Sequence, residues 1–483
     1  MPEKGKEKEK GKEKEKEKCN SKKNCPVNVD LSLIGSIPNA ISDQNDVFRL
    51  LASSLLDVNP SMAVSPTQIV TIADSVLAIW DKATGTRTYN GLIRDTFLIN
   101  SNEPNVVYYD EFANRFIVFS SLTTTSEPIT TLFYVFVSKT STVTTSPNDW
   151  YRFTIPTNTV GQIPHYGFDE RHFYITYTLN TSSVLSNHVI VLNKRSLYHG
   201  GPARIVFNGD AGSTFSIQNI FVPLVVRPSK CEESGRRAYF VEVGVDSLII
   251  HTLKNNREFT STIIPVTSFI SPLSTVPQPT PPNVAPLTNA FQRSAFGMLF
   301  KNSIYFVHTI LSSDNRSILR WYEIEIKNDK FILAQEGNID AGNGLLGTTV
   351  NTFMPHLAVD NHENVAFSFA ISGTAQFPGL GYTGRLSCDP KSTTRSPTQV
   401  AIVGTNSFGQ PPSATILSNL WGTTGLAIDP SDGKTFWIYG EYPVPPITAL
   451  SSIANLVGDW STFLGSFRLK QSHVKQDNKP CNI

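Results

Sequence analysis

Cysteine is scarce in this chain, with five residues among 483. No two of them form a Cys-x-x-Cys pair, so the sequence predicts no zinc site and no other metal centre. An odd number also leaves at least one thiol unpaired within a monomer. Three cysteines lie near the chain ends and two are isolated in between, in the order Cys19, Cys25, Cys231, Cys388 and Cys481.

Long hydrophobic runs are missing as well. The most apolar stretches are TTLFYVFVS and FSIQNIFVPLVV. Both are too short to cross a bilayer, so no transmembrane segment is predicted. The first apolar run follows a charged tract instead of opening the chain, and we therefore expect no secretory signal peptide.

Charge of either sign is modest, since 17% of the residues are charged and the formal net charge is +1. Residues 1–24 alone hold ten Lys and six Glu, which leaves 31 basic and 34 acidic residues in the remainder. A slightly acidic body has no basic footprint for nucleic acid, so we expect no nucleic-acid partner. The Lys/Glu-rich residues 1–24 cannot bury apolar surface and predict a disordered tail.

Familiar catalytic and cofactor motifs are absent too. The sequence contains no Gly-x-Ser-x-Gly elbow, no phosphate-binding loop and no His-Glu-x-x-His. We therefore predict no catalytic residue and no cofactor. Helical periodicity is equally scarce, and DVFRLLASSLLD at 46–57 is the best helix candidate.

What the chain does contain is a recurring β-hairpin. IPHYGFDERHFYIT (163–176) and MPHLAVDNHENVAFSF (354–369) both read apolar, Pro, His, three mixed residues, Asp, a polar turn and an alternating apolar strand. Asp or Ser suits that place because its side chain accepts hydrogen bonds from turn amides. Similar hairpins occur elsewhere, and with two weaker copies (238–253 and 294–311) they begin near residues 62, 107, 166, 238, 296, 357 and 426.

Seven β-meander units with few helices predict an all-β fold, a seven-bladed β-propeller. Six or eight blades and an array of β-sandwiches are the alternatives. Because hairpins continue beyond the Pro-rich stretch 271–286, we interpret that stretch as an excursion between blades and predict one domain over 25–483. The segment 459–469 is assigned to the closing blade, beside chain from residues 26–58.

Several stretches resemble, in their order along the chain, a family of uncharacterised β-propeller proteins, many of them secreted bacterial proteins. The resemblance covers roughly residues 58–445 and implies the propeller fold, but it supplies no activity. The stretches that carry it are AVSPTQIVTIADSVLAIWDKATG, VYYDEFANRFIVFS, SPNDWYRFTIP, VIVLNKRSLYHGG, ILRWYEIEI and LAIDPSDGKTFWIYGEY.

Two histidines, His165 and His356, occupy matching positions in the third and sixth units. Three steps around a seven-fold ring place them nearly opposite each other across the channel. One zinc ion needs its imidazole nitrogens at about 2.0–2.1 Å, so the two cannot readily share it. We favour a structural role for both. If a ligand site exists, we expect it at one channel mouth, near His165, His356 and Trp421.

The favoured function is a non-enzymatic binding or structural propeller that presents loops to a protein or glycan partner. The alternative is a glycoside hydrolase or lyase at the channel mouth, which needs two carboxylates about 5–10 Å apart. Localisation stays open between extracellular and particle-associated, as in a virion.

Overall fold

The structure is a computed structural model, and it describes most of the predicted β-rich body. The predicted disordered tail at 1–24 and the helix candidate at 46–57 lie outside the described residues. The described ranges are 29–37, 59–73, 76–99, 106–124, 128–144, 146–181, 184–213, 220–229, 237–244, 246–279, 286–289, 295–342, 347, 349–396, 398–408, 420–445 and 459–471.

Strands make up most of these ranges. Up to residue 213 they are β1 (Val29–Asp30), β2 (Leu33–Ile37), β3 (Ser61–Val64), β4 (Gln68–Ala73), β5 (Val76–Asp81), β6 (Arg87–Leu92), β7 (Val106–Asp110), β8 (Arg115–Thr123), β9 (Thr131–Ser138), β10 (Trp150–Pro156), β11 (Gly161–Phe168), β12 (His172–Thr181), β13 (Val184–Asn193) and β14 (Ile205–Ser213). From 220 to 339 they are β15 (Phe221–Pro223), β16 (Val225–Val226), β17 (Arg237–Val243), β18 (Ser247–Lys254), β19 (Glu258–Pro265), β20 (Thr275–Val276), β21 (Leu287–Asn289), β22 (Ala295–Phe300), β23 (Ser303–Leu311), β24 (Ser317–Lys327) and β25 (Lys330–Ile339). Beyond that they are β26 (Val350–Val359), β27 (Val365–Gly373), β28 (Gln376–Arg385), β29 (Gln399–Val403), β30 (Leu420–Trp421), β31 (Gly425–Ile428), β32 (Phe436–Val444), β33 (Asp459–Phe467) and β34 (Lys470–Gln471).

Helices are few and short in the described chain. They are α1 (Ile93–Phe97), α2 (Lys194–Tyr198) and a 3₁₀ turn (Pro147–Asp149). No helix among the described residues has the length and apolar character needed to cross a bilayer.

Four-stranded antiparallel sheets form the blades of a β-propeller, and five of them are separate: β3–β6, β7–β10, β26–β29, the sheet β15-β17-β18-β19, and the sheet β31-β32-β33-β2. A nine-stranded sheet contains two further four-stranded meanders, β11–β14 and β22–β25. The two-residue strand β16 joins them by pairing in parallel with β11 and with β22. The prediction of an all-β propeller is therefore confirmed.

The ring closes as the sequence predicts. Strand β33 lies between β32 and the N-terminal strand β2, so the two ends of the chain complete one sheet. Leu33 pairs with Phe467 in this sheet. A second link joins the first and last hairpins, where the Lys82 ammonium contacts the Asp429 carboxylate at 2.8 Å. Apolar side chains of β33 are buried beneath the closure, namely Trp460, Phe463, Leu464 and Phe467.

The acidic and hydroxyl side chains of the hairpin turns cap turn amides, as predicted. Asp360 accepts from the backbone N–H groups of His362 at 2.7 Å and Asn364 at 2.9 Å. The same role falls to Ser65, Asp110, Asp169 and Asp429. Turn chemistry therefore explains why these hairpins are visible in the sequence.

The fourth predicted hairpin is wrong in its position within the blade. Strands β17 and β18, which hold 238–253, are the second and third strands of their sheet, and the innermost strand is β15. Its Val222-Pro223 pair repeats the apolar-Pro pair that precedes the two channel histidines. Only three residues of β15 pair with β17, so the strand carries too little alternation to be recognised.

The Pro-rich segment packs on the propeller where it is described. Strands β20 and β21 pair with each other, and Val276 and Leu287 are fully buried. Gln278 exchanges two hydrogen bonds with the backbone of Phe408, at 2.9 and 2.7 Å. These contacts agree with an excursion between blades. Cys388, which is isolated in the sequence, is disulfide-bonded, and the other four cysteines lie outside the described residues.

Candidate functional site at the central channel

The innermost strands of the propeller converge on one cavity of about 190 Å³. Every four-stranded unit contributes at least one side chain to its wall, because the inner strands all run along the channel. One such residue from each unit, in chain order, is Met62, Val107, His165, Val222, Phe296, His356 and Leu426. The cavity is therefore a property of the whole ring.

Two of the three predicted rim residues, His165 and His356, line this cavity. Each follows a proline, and in each strand the pairing register shifts at that point, between Gln162 and His165 in β11 and between Phe353 and His356 in β26. A proline lacks the N–H that the ladder needs, which accounts for the matching bulges. The third, Trp421, belongs to β30, but its side chain lies outside the described residues.

His356 is a neutral aromatic ring in this setting. Its imidazole stacks on Phe296 with ring centroids 3.7 Å apart and planes inclined by 25°. Burial lowers the pKa of His356 to about 3, against a weaker opposing effect of the Leu357 backbone. The imidazole Nδ1 lies 3.1 Å from the Leu357 carbonyl oxygen. At neutral pH this side chain presents an apolar face and no charge.

Crowding on the inner strands explains the small residues near the histidines. A Cβ atom on Gly167 would lie 2.7 Å from the Leu224 carbonyl oxygen and 2.9 Å from that of Pro223. Only glycine allows this close approach of two backbones. Ala63 and Ala358 are buried at corresponding places.

Arg227 lies across the end of the channel where the hairpin turns are. It follows β16, and the residue is 5% exposed. Its Nε donates to Glu111 Oε1 at 2.8 Å and one terminal nitrogen donates to Asn361 Oδ1 at 3.1 Å. The other terminal nitrogen donates to the Val359 carbonyl oxygen. Arg227 therefore joins three sheets at one point.

The chemistry of the cavity is mainly apolar. Among the described residues that line it, Glu111 is the only carboxylate, and Arg227 holds it in an ion pair. No group of three or more His, Cys, Asp or Glu residues suited to a metal ion occurs within the described ranges. The wall offers mainly apolar contact, together with two imidazoles and several hydroxyl-bearing side chains.

Sequence reasoning missed Arg227, because VVRPSK contains no motif and its partners belong to distant hairpins. It also missed a polar set in one blade, formed by Glu242, His251 and Ser261. Neither group has a local signal, since packing between sheets brings the partners of Arg227 together and strand register brings Glu242, His251 and Ser261 together.

No family model matches this sequence, and no curated protein does. Solved structures of three proteins align with this chain at low sequence identity and low TM-score. A subtype N11 neuraminidase-like protein of A/flat-faced bat/Peru/033/2010 (H18N11) is 9% identical, with 75% of this chain and 96% of that chain covered and a TM-score of 0.35. The WD40 domain of SCAP from fission yeast is 10% identical, with 89% and 98% covered and a TM-score of 0.36. A protein of unknown function from Dyadobacter fermentans DSM 18053 is 9% identical, with 91% and 99% covered and a TM-score of 0.37.

Proposed function

We propose that the chain is a binding protein, a seven-bladed β-propeller spanning 25–483 behind a disordered tail at 1–24, whose channel mouth receives an apolar side chain of a protein partner. Counting the two meanders of the nine-stranded sheet as blades gives seven, and each contributes to the cavity wall in the same way as the five separate blades.

The observation that carries the proposal is that His165 and His356 both line one apolar cavity. An apolar cavity of about 150 Å³ holds a benzene-sized molecule. The 190 Å³ here is therefore large enough for the ring of Phe or Tyr or for a Leu side chain. His356 already stacks on Phe296, and a partner's ring can extend such a stack.

A protein partner fits this wall better than a glycan. Sugars are recognised by hydrogen bonds to many hydroxyl groups, and this wall is mostly aliphatic and aromatic. The hydrolase alternative asks for two carboxylates about 5–10 Å apart. The described wall supplies Glu111 alone, and its charge is neutralised by Arg227.

The test screens a phage-displayed peptide library and a glycan array against the full chain, with fluorogenic glycosides in parallel. We expect peptides with an aromatic or bulky aliphatic anchor to bind. The double variant His165→Ala/His356→Ala should bind them at least about tenfold more weakly, which is about 1.4 kcal/mol. His362→Ala is the matched control, because His362 is 59% exposed in the turn after β26.

Several outcomes would overturn the proposal. Peptide binding that survives the double variant, while the melting temperature falls sharply, would leave the two histidines as purely structural residues. Binding of glycans alone would replace the protein partner. Glycoside turnover that disappears in the double variant would establish the hydrolase instead.

A further inference from the structure

A polar set of three side chains crosses the sheet β15-β17-β18-β19, outside the channel. The Ser261 hydroxyl on β19 lies 3.0 Å from Nδ1 of His251 on β18. Nε2 of the same imidazole lies 2.8 Å from Oε2 of Glu242 on β17. Both ring nitrogens of His251 are thus engaged, one by a hydroxyl and one by a carboxylate.

The strand register produces this order. His251 and Ser261 are directly opposed in the β18–β19 pair, and Ile249 opposes Glu242 in the β17–β18 pair, which puts Glu242 diagonally next to His251. Side chains of directly opposed residues lie close enough to hydrogen-bond. Glu242 and His251 are buried, whereas Ser261 is exposed at the outermost strand. A reagent in solution can therefore reach the hydroxyl but not the carboxylate.

The carboxylate fixes the tautomer of the imidazole. A neutral His251 that donates Nε2–H to the Glu242 carboxylate carries no proton on Nδ1, so Nδ1 can accept the Ser261 hydroxyl proton. A serine is activated when its hydroxyl hydrogen-bonds a general base and that base is oriented by an acidic group on its other side.

We propose that Ser261 is a reactive nucleophile, with His251 as its general base and Glu242 as the positioning residue, and that it cleaves esters with short apolar acyl groups. Phe259 and Ile263 flank Ser261 on the same face of β19, and Ile263 is 66% exposed. These neighbours favour an apolar acyl group over a charged one. The site goes beyond the binding function proposed for the channel.

The reaction balances with an ester and water as reactants. Ser261 Oγ attacks the ester carbonyl carbon while its proton moves to His251 Nδ1. The bond from the carbonyl carbon to the alcohol oxygen breaks, and the alcohol leaves with that proton. Water then loses a proton to Nδ1 and attacks the acyl group on Oγ, which releases the carboxylic acid and restores the serine hydroxyl. Since β19 is the outer strand of its sheet, alternate amides point away from β18, and the proposal assigns the stabilisation of the oxyanion to them.

The first experiment treats the full chain with a fluorophosphonate, whose phosphorus accepts Oγ as fluoride leaves. The labelled serines are then identified by peptide mass spectrometry. Ser268 is the internal control, because it is exposed in the segment that follows β19 and does not pair with a histidine in the structure. We expect Ser261 to be labelled at least about 100-fold faster than Ser268, the usual contribution of a general base. Equal labelling of the two serines in the wild-type chain would overturn the proposal without any variant.

The second experiment separates reactivity from structure. Ser261→Ala should lose the label at position 261, and His251→Gln should lower the labelling rate of Ser261 about 100-fold. Both variants should hydrolyse p-nitrophenyl acetate at the background rate. Glu242→Gln should shift the ¹⁵N resonances of His251 towards the other tautomer and slow labelling, with the melting temperature little changed. Hydrolysis of p-nitrophenyl acetate that persists in Ser261→Ala would show that the ester is cleaved elsewhere.

Discussion

Arg227 holds both carboxylate oxygens of Glu111, at 2.8 Å through Nε and 3.3 Å through a terminal nitrogen, although the two residues come from different sheets. The guanidinium also lies over the Phe300 ring at 5.1 Å. An ion pair that links segments of two different sheets resists the separation of those sheets. Both residues also line the cavity.

Replacing Arg227 by Met should destabilise the fold. Removing one partner of a fully buried pair costs roughly 3–5 kcal/mol, and the Glu111 side chain is 21% exposed, so we expect about 2–3 kcal/mol. Urea unfolding measures the change. The double variant Arg227→Met/Glu111→Gln should recover part of the lost stability, because it also removes the Glu111 charge that the single variant leaves unpaired. Equal stability of the wild type and the Arg227→Met chain would show that the pair contributes nothing.

Acid should destabilise the protein through two buried histidines. Burial lowers the pKa of His308 to about 3, with a further contribution from Arg320, and burial lowers that of His356 to about 3. An unfolded chain binds these protons near pH 6.5 and the folded chain does not, so stability is full above pH 6.5 and falls as the pH drops towards 3. The loss is about 1.4 kcal/mol per pH unit for each histidine.

Urea unfolding at a series of pH values between 7 and 4 tests this slope. His308→Gln removes one titrating group. The slope of its unfolding free energy against pH should therefore correspond to about one proton fewer than in the wild type. His362→Ala, at an exposed position, should keep the wild-type slope. An unchanged slope in His308→Gln would contradict the expected effect of burial.

Gly167→Ala should be poorly tolerated, because the new Cβ would meet two carbonyl oxygens at 2.7 and 2.9 Å. Both belong to backbone, so neither can rotate away, and overpacking of this kind costs about 1–3 kcal/mol. Gly35→Ala is the matched control, since nothing lies within 4 Å of its Cβ position. Thermal unfolding of both variants measures the difference. Similar melting temperatures would mean that β11 and the chain after β15 can move apart at little cost.

Truncation after Gly458 should prevent a closed ring, because it removes β33 from between β32 and β2. Each large apolar side chain buried by that strand contributes about 1.5–3 kcal/mol. Losing several of them consumes much of a typical stability of roughly 5–15 kcal/mol. We expect the truncated chain to aggregate or to lose its cooperative transition in calorimetry. A soluble product with a normal melting curve would place the closure elsewhere.

Removal of residues 1–24 is the complementary deletion. We expect the unfolding transition to stay where it is, since a Lys/Glu tract buries no apolar surface. Protection of these amides from hydrogen exchange in the isolated protein would contradict the prediction of a disordered tail.

Local chemistry made the architecture predictable. Asp360 and Ser65 cap turns through their own side chains, so the hairpins appear in the sequence as short repeated patterns. The innermost strand β15 escaped recognition because it pairs over three residues, although Val222-Pro223 repeats a known signal. The channel histidines were found for the same local reason, as part of a repeat.

The remaining parts of the sites depend on pairings between distant residues. Arg227 meets Glu111 and Asn361 only after the ring has formed. His251 meets Ser261 through the register of two strands, and a spacing of ten residues is not a motif by itself. No single segment of the sequence carries a signal for such contacts.

The pairing of Leu33 with Phe467 has a consequence for synthesis on the ribosome. Strand β2 leaves the ribosome long before its hydrogen-bonding neighbour β33, because β2 ends at Ile37 and β33 begins at Asp459. While the residues between the two strands are made, β2 therefore has unpaired edges, which are open to pairing with other nascent chains on the same messenger. Spacing between ribosomes, and chaperones that cover strand edges, should affect the yield of this protein more than they affect chains whose sheets close early.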